Sequence, residues 1–188
     1  MQSFAVVLDA NVIVPIAATN LLLRLAEREL YRPLWSSRIL EETHRAITKL
    51  HPEFTESQIR ARLAVMNEAF EDALVTGWEK IEGALVLPDA DDRHVLACAI
   101  VGGADAIVTN NKDDFPEAVL ATFGLEVIGL DDFLLDLIDH ALLVVASVIL
   151  DIARDTRNPA VSAADVLDAV ARAGAPGAVE RLRSGVAH

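Results

Sequence analysis

Short apolar runs alternate with segments of helical periodicity up to about residue 139, and that alternation limits the fold more than any other feature of the chain. Phe4-Ala5-Val6-Val7-Leu8 is apolar throughout, as a strand buried on both faces must be. Residues 33–36, 84–87, 106–109 and 125–128 give four further strand candidates. Helices are expected over 12–17 and 20–30, and from Arg38 to about Leu50 behind Ser37 as cap. Further helices are expected from Thr55 through Ile59, Leu63, Met66 and Phe70, and over 92–101, 116–122 and 130–139. In segment 20–30, Leu21, Leu22, Leu25 and Ala26 share one face, and Arg24, Glu27, Arg28 and Glu29 the other. Gly102-Gly103 supplies a C-cap for the helix before it. Strands that alternate with helices in this way build a parallel α/β sheet.

After His140 only helical signals remain: residues 141–154, a segment opening at Ser162-Ala163-Ala164-Asp165, and a short piece beyond Gly174-Ala175-Pro176-Gly177. The expected division is therefore an α/β domain over 1–139 and a helical C-terminal extension over 140–188. The extension carries apolar faces (Leu142, Val145, Ile149 and Ile152, then Val166, Leu167 and Val170) that need cover from the α/β body, a second copy or a partner. At least part should dock on the body. The longest apolar run, 141–150, is ten residues, against about 20 for a membrane-spanning helix. Met1-Gln2-Ser3-Phe4 has no positively charged leader pattern. The expectation is a soluble, cytoplasmic protein without a membrane segment.

Hydrophobic residues make up 53% of the 188, so a sizeable core can form. The single cysteine, Cys98, excludes an internal disulfide framework and a cysteine-based zinc cluster. A net charge of −13 argues against a general nucleic-acid coat protein and suits a basic partner. It does not exclude a nuclease, because acids that hold cations belong to such a site.

The acids fall where apolar elements meet loops or helix starts. Asp9 closes the first strand as Leu8-Asp9-Ala10-Asn11; its plainer role is to cap the helix that follows. Glu42 follows Ile39 by three, while one of Glu41 and Glu42 serves the helix dipole. Asp92 stands behind Asp89 and Asp91 at the start of Asp92-Arg93-His94-Val95-Leu96-Ala97, where one acid is expected to cap the helix. His94 reads as a packing or surface histidine, with substrate contact as the alternative. Thr109-Asn110-Asn111-Lys112-Asp113-Asp114 follows a strand, and Lys112 is a possible phosphate contact. In an open α/β sheet, the loops at the carboxyl ends of the strands converge on one crevice. Carboxylates gathered there repel one another unless a hard cation such as Mg²⁺ lies between them. Asp9, Thr109 and Lys112 also suggest a haloacid-dehalogenase-like phosphatase, but Asn11 stands where that family has a second acid.

Taken in order, Leu8-Asp9-Ala10-Asn11-Val12, Ile39-Leu40-Glu41-Glu42, Asp89-Ala90-Asp91-Asp92-Arg93-His94-Val95-Leu96-Ala97 and Val108-Thr109-Asn110-Asn111-Lys112-Asp113-Asp114-Phe115 resemble the PIN-domain ribonuclease family, and the VapC-type toxins of toxin–antitoxin modules most of all. Leu125-Glu126-Val127-Ile128 and Asp131-Asp132-Phe133-Leu134 resemble its last strand and helix. The fold to expect is a three-layer α/β/α sandwich on a parallel sheet of about five strands. The resemblance implies an endoribonuclease that uses Mg²⁺ or Mn²⁺. It carries the metal-binding and catalytic acids over to Asp9, Glu42, Asp92 and Asp114, and the supporting polar positions to Asn11, Thr109 and Asn111. Whether Asp113, Asp114 or Asn111 completes the site stays open. The implied partners are an RNA substrate and an antitoxin protein, with a homodimer as a further possibility. A PIN fold used only as a binding module is the alternative.

Overall fold

The computed structural model describes residues 4–185, so the Met1-Gln2-Ser3 pattern read above lies outside it. Strand β1 (Ala5–Leu8) is buried at all four positions, as its unbroken apolar run requires. The chain leaves it through one turn, α1 (Ala10–Ile13), and continues as α2 (Ile16–Glu27). The break falls at Pro15, earlier than the periodicity suggested, because proline offers no N–H to continue a helix. Strand β2 (Arg32–Ser36) then passes into α3 (Ser37–Leu50) with no loop between them. Ser36, not Ser37, is the cap: its buried hydroxyl accepts from the Ile39 N–H at 3.2 Å. Helix α4 (Glu56–Ala69) opens with a capping box between Thr55 and Gln58.

The third strand differs from expectation. It is β3 (Leu74–Val75), paired with Trp35 and Ser36, and not residues 84–87. Those residues follow α5 (Glu79–Glu82) as irregular chain, with Leu85 and Leu87 buried and Val86 exposed. They alternate like a strand but have no strand beside them. Helix α6 (Arg93–Gly102) ends at Gly103 in the left-handed region, φ 61° and ψ 44°. Strand β4 (Ala106–Val108), the short helix α7 (Glu117–Leu120) and strand β5 (Glu126–Ile128) complete the α/β part.

All five strands are parallel, in the order β3-β2-β1-β4-β5. The chain therefore starts in the middle of the sheet, builds one side, and crosses over to build the other. The reversal lies between β1 and β4, where Val7 pairs with Ile107 and Leu8 with Val108. Helices flank the sheet in a three-layer α/β/α arrangement: α6 lies across β1 to β4 and meets α3 and α5, while α2 packs on the helix that follows β5.

That helix, α8 (Leu130–Asp155), is one element of 26 residues where two were expected. It is kinked at Ala141, whose φ of −147° and ψ of 52° are not helical. By length and composition α8 could cross a bilayer. Here Phe133, Leu134, Leu137, Val145, Ile149 and Ile152 are buried, whereas Leu143 and Leu150 are exposed. Helices α9 (Ala163–Arg172) and α10 (Pro176–Gly185) fold back on α8, and α9 also meets α2. Arg24 pairs with Asp155 at 2.8 Å and Arg28 with Asp151 at 2.9 Å, so the extension docks on the body.

Gly102 records how closely α6 crosses the sheet. A methyl group on it would stand 2.8 Å from Val75 Cγ2 and 3.0 Å from Leu34 Cδ1. Alanine is the better helix former by about 1 kcal/mol, but overpacking costs about 1–3 kcal/mol. Gly102→Ala should therefore lower stability in a urea titration; a gain would show that α6 has room to lift.

Candidate active site

Asp9 and Thr109 directly follow β1 and β4, on either side of the point where the strand order reverses. Open α/β sheets bind ligands at such a crevice. The Asp9 N–H continues the ladder to Val108 O at 3.1 Å, so the backbone there is fixed by the sheet. The side chain is held as firmly. Asp9 Oδ2 accepts from the Asn11 amide and from the Thr109 hydroxyl, both at 2.7 Å, and Oδ1 accepts from the Ala10 N–H at 2.7 Å. Asn11 also donates to Thr109 Oγ1 at 2.9 Å and accepts from the Asn110 N–H through Oδ1 at 3.0 Å. Thr109 Oγ1 in turn receives the Asn111 N–H at 3.1 Å. Asp9 thus caps α1 and also belongs to a polar network joining β1 to the loop after β4.

Burial pushes the Asp9 carboxyl above the usual range, against the hydrogen bond from Thr109 and the Ala10 N–H. The charge of Glu42 adds to the upward push. Asp92 lies at the N-cap of α6, yet its side chain makes no capping bond. Asp89 serves its own loop instead, accepting from the Asp91 N–H at 2.8 Å. The Asp92 carboxyl is pushed up to about 6, first by burial and then by the charges of Asp9, Asp114 and Asp89. Asp92 and Asp114 are half-buried on this crevice, while Asp113 is exposed. Of the candidates after β4, Asp114 is the one whose charge reaches Asp92.

Glu42 differs from the other acids because basic side chains already surround it. His94 Nε2 stands 3.1 Å from its Oε1, Arg38 Nε 3.5 Å and Arg45 3.7 Å. Burial would raise its pKa, but His94, Arg38 and Arg45 outweigh that and hold it below the usual range. His94 is wholly buried, packed edge-on to Trp78, so it is an internal partner of Glu42 and not a surface histidine. Arg38 also bonds Glu82 at 2.7 Å. The spacing Arg38–Glu42, one helical turn, was readable in the sequence; the reach of His94 across to α3 was not. Lys112 is turned to Asp132, 3.3 Å away on the surface. Asn111 is exposed and enters the network only through its backbone.

The four acids share one end of the sheet but do not form a finished cage. Among the described residues, no three Asp, Glu, His or Cys side chains are close enough to hold an ion as they stand. Their chemistry nonetheless fits a hard divalent cation: all are oxygen donors, and Asp92 carries charge that the protein leaves poorly compensated.

Residues 5–113 match the sequence profile of the PIN domain family, a span that includes Asp9, Glu42 and Asp92 and ends one residue before Asp114. The chain belongs to the PIN domain family. Residues 130–184 match a second profile, that of the VapC50 C-terminal domain, which begins ahead of the division expected at residue 140. The chain is similar to the protein named "Putative ribonuclease VapC50" of Mycobacterium tuberculosis, with 46% identity over 48 residues. That alignment spans 26% of this chain and 28% of the relative. No solved structure matches the chain.

The uncompensated charge on Asp92 has a measurable consequence. Its raised pKa means that the folded state binds protons more tightly than the unfolded state, so stability rises as pH falls from about 6 toward the ordinary 3.8. Above that window the charged group is destabilising, by roughly 1 kcal/mol once solvent screening of a partly exposed carboxyl is allowed for. Asp92→Asn in chelator should raise the melting temperature at neutral pH by about 2–4 °C. The gain should shrink as the pH is lowered through the window. A loss of stability would show Asp92 to be compensated already.

Proposed function

We propose that the chain is an endoribonuclease dependent on Mg²⁺ or Mn²⁺, and the toxin of a toxin–antitoxin pair acting in the cytoplasm. The observation that carries the reading is Asp9. It is buried at the reversal point of the sheet and held by Thr109 and Asn11, with Asp9 and Asp114 close enough to disfavour the charge of Asp92. Membership of the PIN domain family and the name of the relative support ribonuclease over the phosphatase suggested by Asp9 and Thr109 alone.

Asp9, Asp92 and Asp114 would hold the cation, with Glu42 completing the four-carboxylate site from α3. When bound, such a cation supplies positive charge against the attacked phosphate and favours ionisation of water. Asn11 and Thr109 fix the rotamer of Asp9. His94, Arg38 and Arg45 keep Glu42 ionised and aimed, so that Glu42 or Asp92 accepts the proton of the attacking water. The Lys112–Asp132 contact is exposed, and such pairs contribute at most about 1 kcal/mol. An RNA phosphate can therefore take Lys112, a contact that fixes position without reading sequence. An antitoxin would silence the site by placing an Arg or Lys among the acids through charge-assisted hydrogen bonds. Exposed Leu143 and Leu150 on α8 offer a surface for a second copy.

The second reading is a PIN fold that binds without cutting. Metal titration separates the two. Mn²⁺ at about 100 times its Kd should stabilise the protein by roughly 2.7 kcal/mol, and an unmoved melting temperature would favour the binding module.

Substitutions then assign the roles. Asp9→Asn should leave the circular dichroism unchanged and cut metal-dependent RNA cleavage by at least about 100-fold, the scale on which one preorganised charge matters at a reaction centre. Asp114→Asn should act like it, and Asp113→Asn should stay within about threefold of the parent, since the charge of Asp114 acts on Asp92 and Asp113 is exposed. Equal losses from the two would leave the loop after β4 unassigned.

A further inference from the structure

The turn between α9 and α10 is built directly against the loop after β4. Gly174 has φ +113°, a conformation open to glycine and strained for other residues. A methyl group on it would stand 3.3 Å from Nδ2 and 3.4 Å from Oδ1 of Asn110. A few residues on, the Gly177 and Ala178 N–H groups donate to the Asp131 carboxylate at 3.0 and 2.8 Å. Such N–H groups in the first turn of a helix have no partner within it, and an anion is their natural one. A methyl on Gly177 would come within 2.9 Å of Asp131 Oδ2. The turn is thus fixed at two places, by close approach at Asn110 and by two hydrogen bonds at Asp131.

Asn110 is not an idle neighbour. Its N–H donates to Asn11 Oδ1 at 3.0 Å, and the Asn11 amide donates to Asp9 Oδ2 at 2.7 Å. Gly174 therefore lies beside the first residue of a hydrogen-bond chain that runs from Asn110 through Asn11 to the Asp9 carboxylate. We propose that the Gly174 turn is a positioning element of the active site: it seats Asn110 so that its N–H holds Asn11, and Asn11 holds Asp9. The missing Cβ at Gly174 leaves room for the Asn110 carboxamide, and Asp131 keeps the turn from lifting away. The C-terminal helices then belong to the construction of the site. For its activity readout the proposal rests on the ribonuclease reading above.

The test is a double-mutant cycle on the full chain with Gly174→Ala and Asn110→Ala. It is read by RNA cleavage, by hydrogen exchange of the Asn110 amide and by melting temperature. Gly174→Ala alone should lower kcat about tenfold, the lower end of what outer supporting residues contribute at such sites. KM should change less than about twofold, and Asn110 exchange should quicken by about the same tenfold as the kcat loss. In the Asn110→Ala background, where the carboxamide is gone, adding Gly174→Ala should change kcat and exchange by less than about twofold. An equal loss in both backgrounds would mean backbone strain alone and would overturn the proposal. So would an unchanged exchange rate in Gly174→Ala. If Gly174→Ala does not fold, Asp131→Ala releases the other anchor and must quicken Asn110 exchange; an unmoved rate overturns the proposal. If the parent cuts no RNA, the ribonuclease reading fails, while the exchange measurements still decide the coupling.

Discussion

A charged carboxyl kept inside a protein needs partners, and much of this molecule is arranged around supplying them to Asp9. Three donors reach it from two strands' ends: its own helix start at Ala10, Asn11, and Thr109 from the neighbouring strand. The parallel pairing of β1 with β4 is what brings residues a hundred positions apart into one hydrogen-bond network. Disturbing that pairing would strand a buried charge, and leaving a buried polar group unsatisfied costs about 1–3 kcal/mol, more when it is charged. Sheet order and site geometry are therefore one constraint.

The acids around Asp9 divide into two kinds. Glu42 is surrounded by His94, Arg38 and Arg45 and is comfortable as an anion. Asp92 gives up the capping bond its position invites and sits against other negative charges. A helix N-cap normally gains about 1 kcal/mol from such a bond. Local stability forgone at one residue, beside an acid that is fully supported, is the pattern of a site built for a ligand and not for its own rest state.

Much of this was legible in the chain. Continuous apolar runs identify β1 and β4 because a strand covered on both sides has no polar alternation to confuse it. The strand-to-helix joint at Ser36 was legible to within one residue; the structure moves the cap because β2 uses every residue up to it. Residues 84–87 misled because they are apolar throughout, and an irregular segment lying on a core can be so as well. Leu74 and Val75 carry no periodicity in two residues, and are a strand only because Trp35 and Ser36 lie beside them. At the site, the sequence placed Asp9, Glu42 and Asp92 at element ends. It could not choose between Asp113 and Asp114, since one short turn holds both. Nor could it find Asn110, whose part is played by a backbone N–H that every residue type but proline possesses.

Helix α8 leaves β5 after a single residue, Gly129, and does not stop until Asp155. No linker separates the sheet from the helices stacked on its far end. At about 1.5 Å of rise per residue this shaft would carry a tilt at its root to a displacement at its tip. Asp151 and Asp155 near that tip pair with Arg28 and Arg24 of α2, so the shaft is tied down at both ends and holds the outer helices at a set distance along the body.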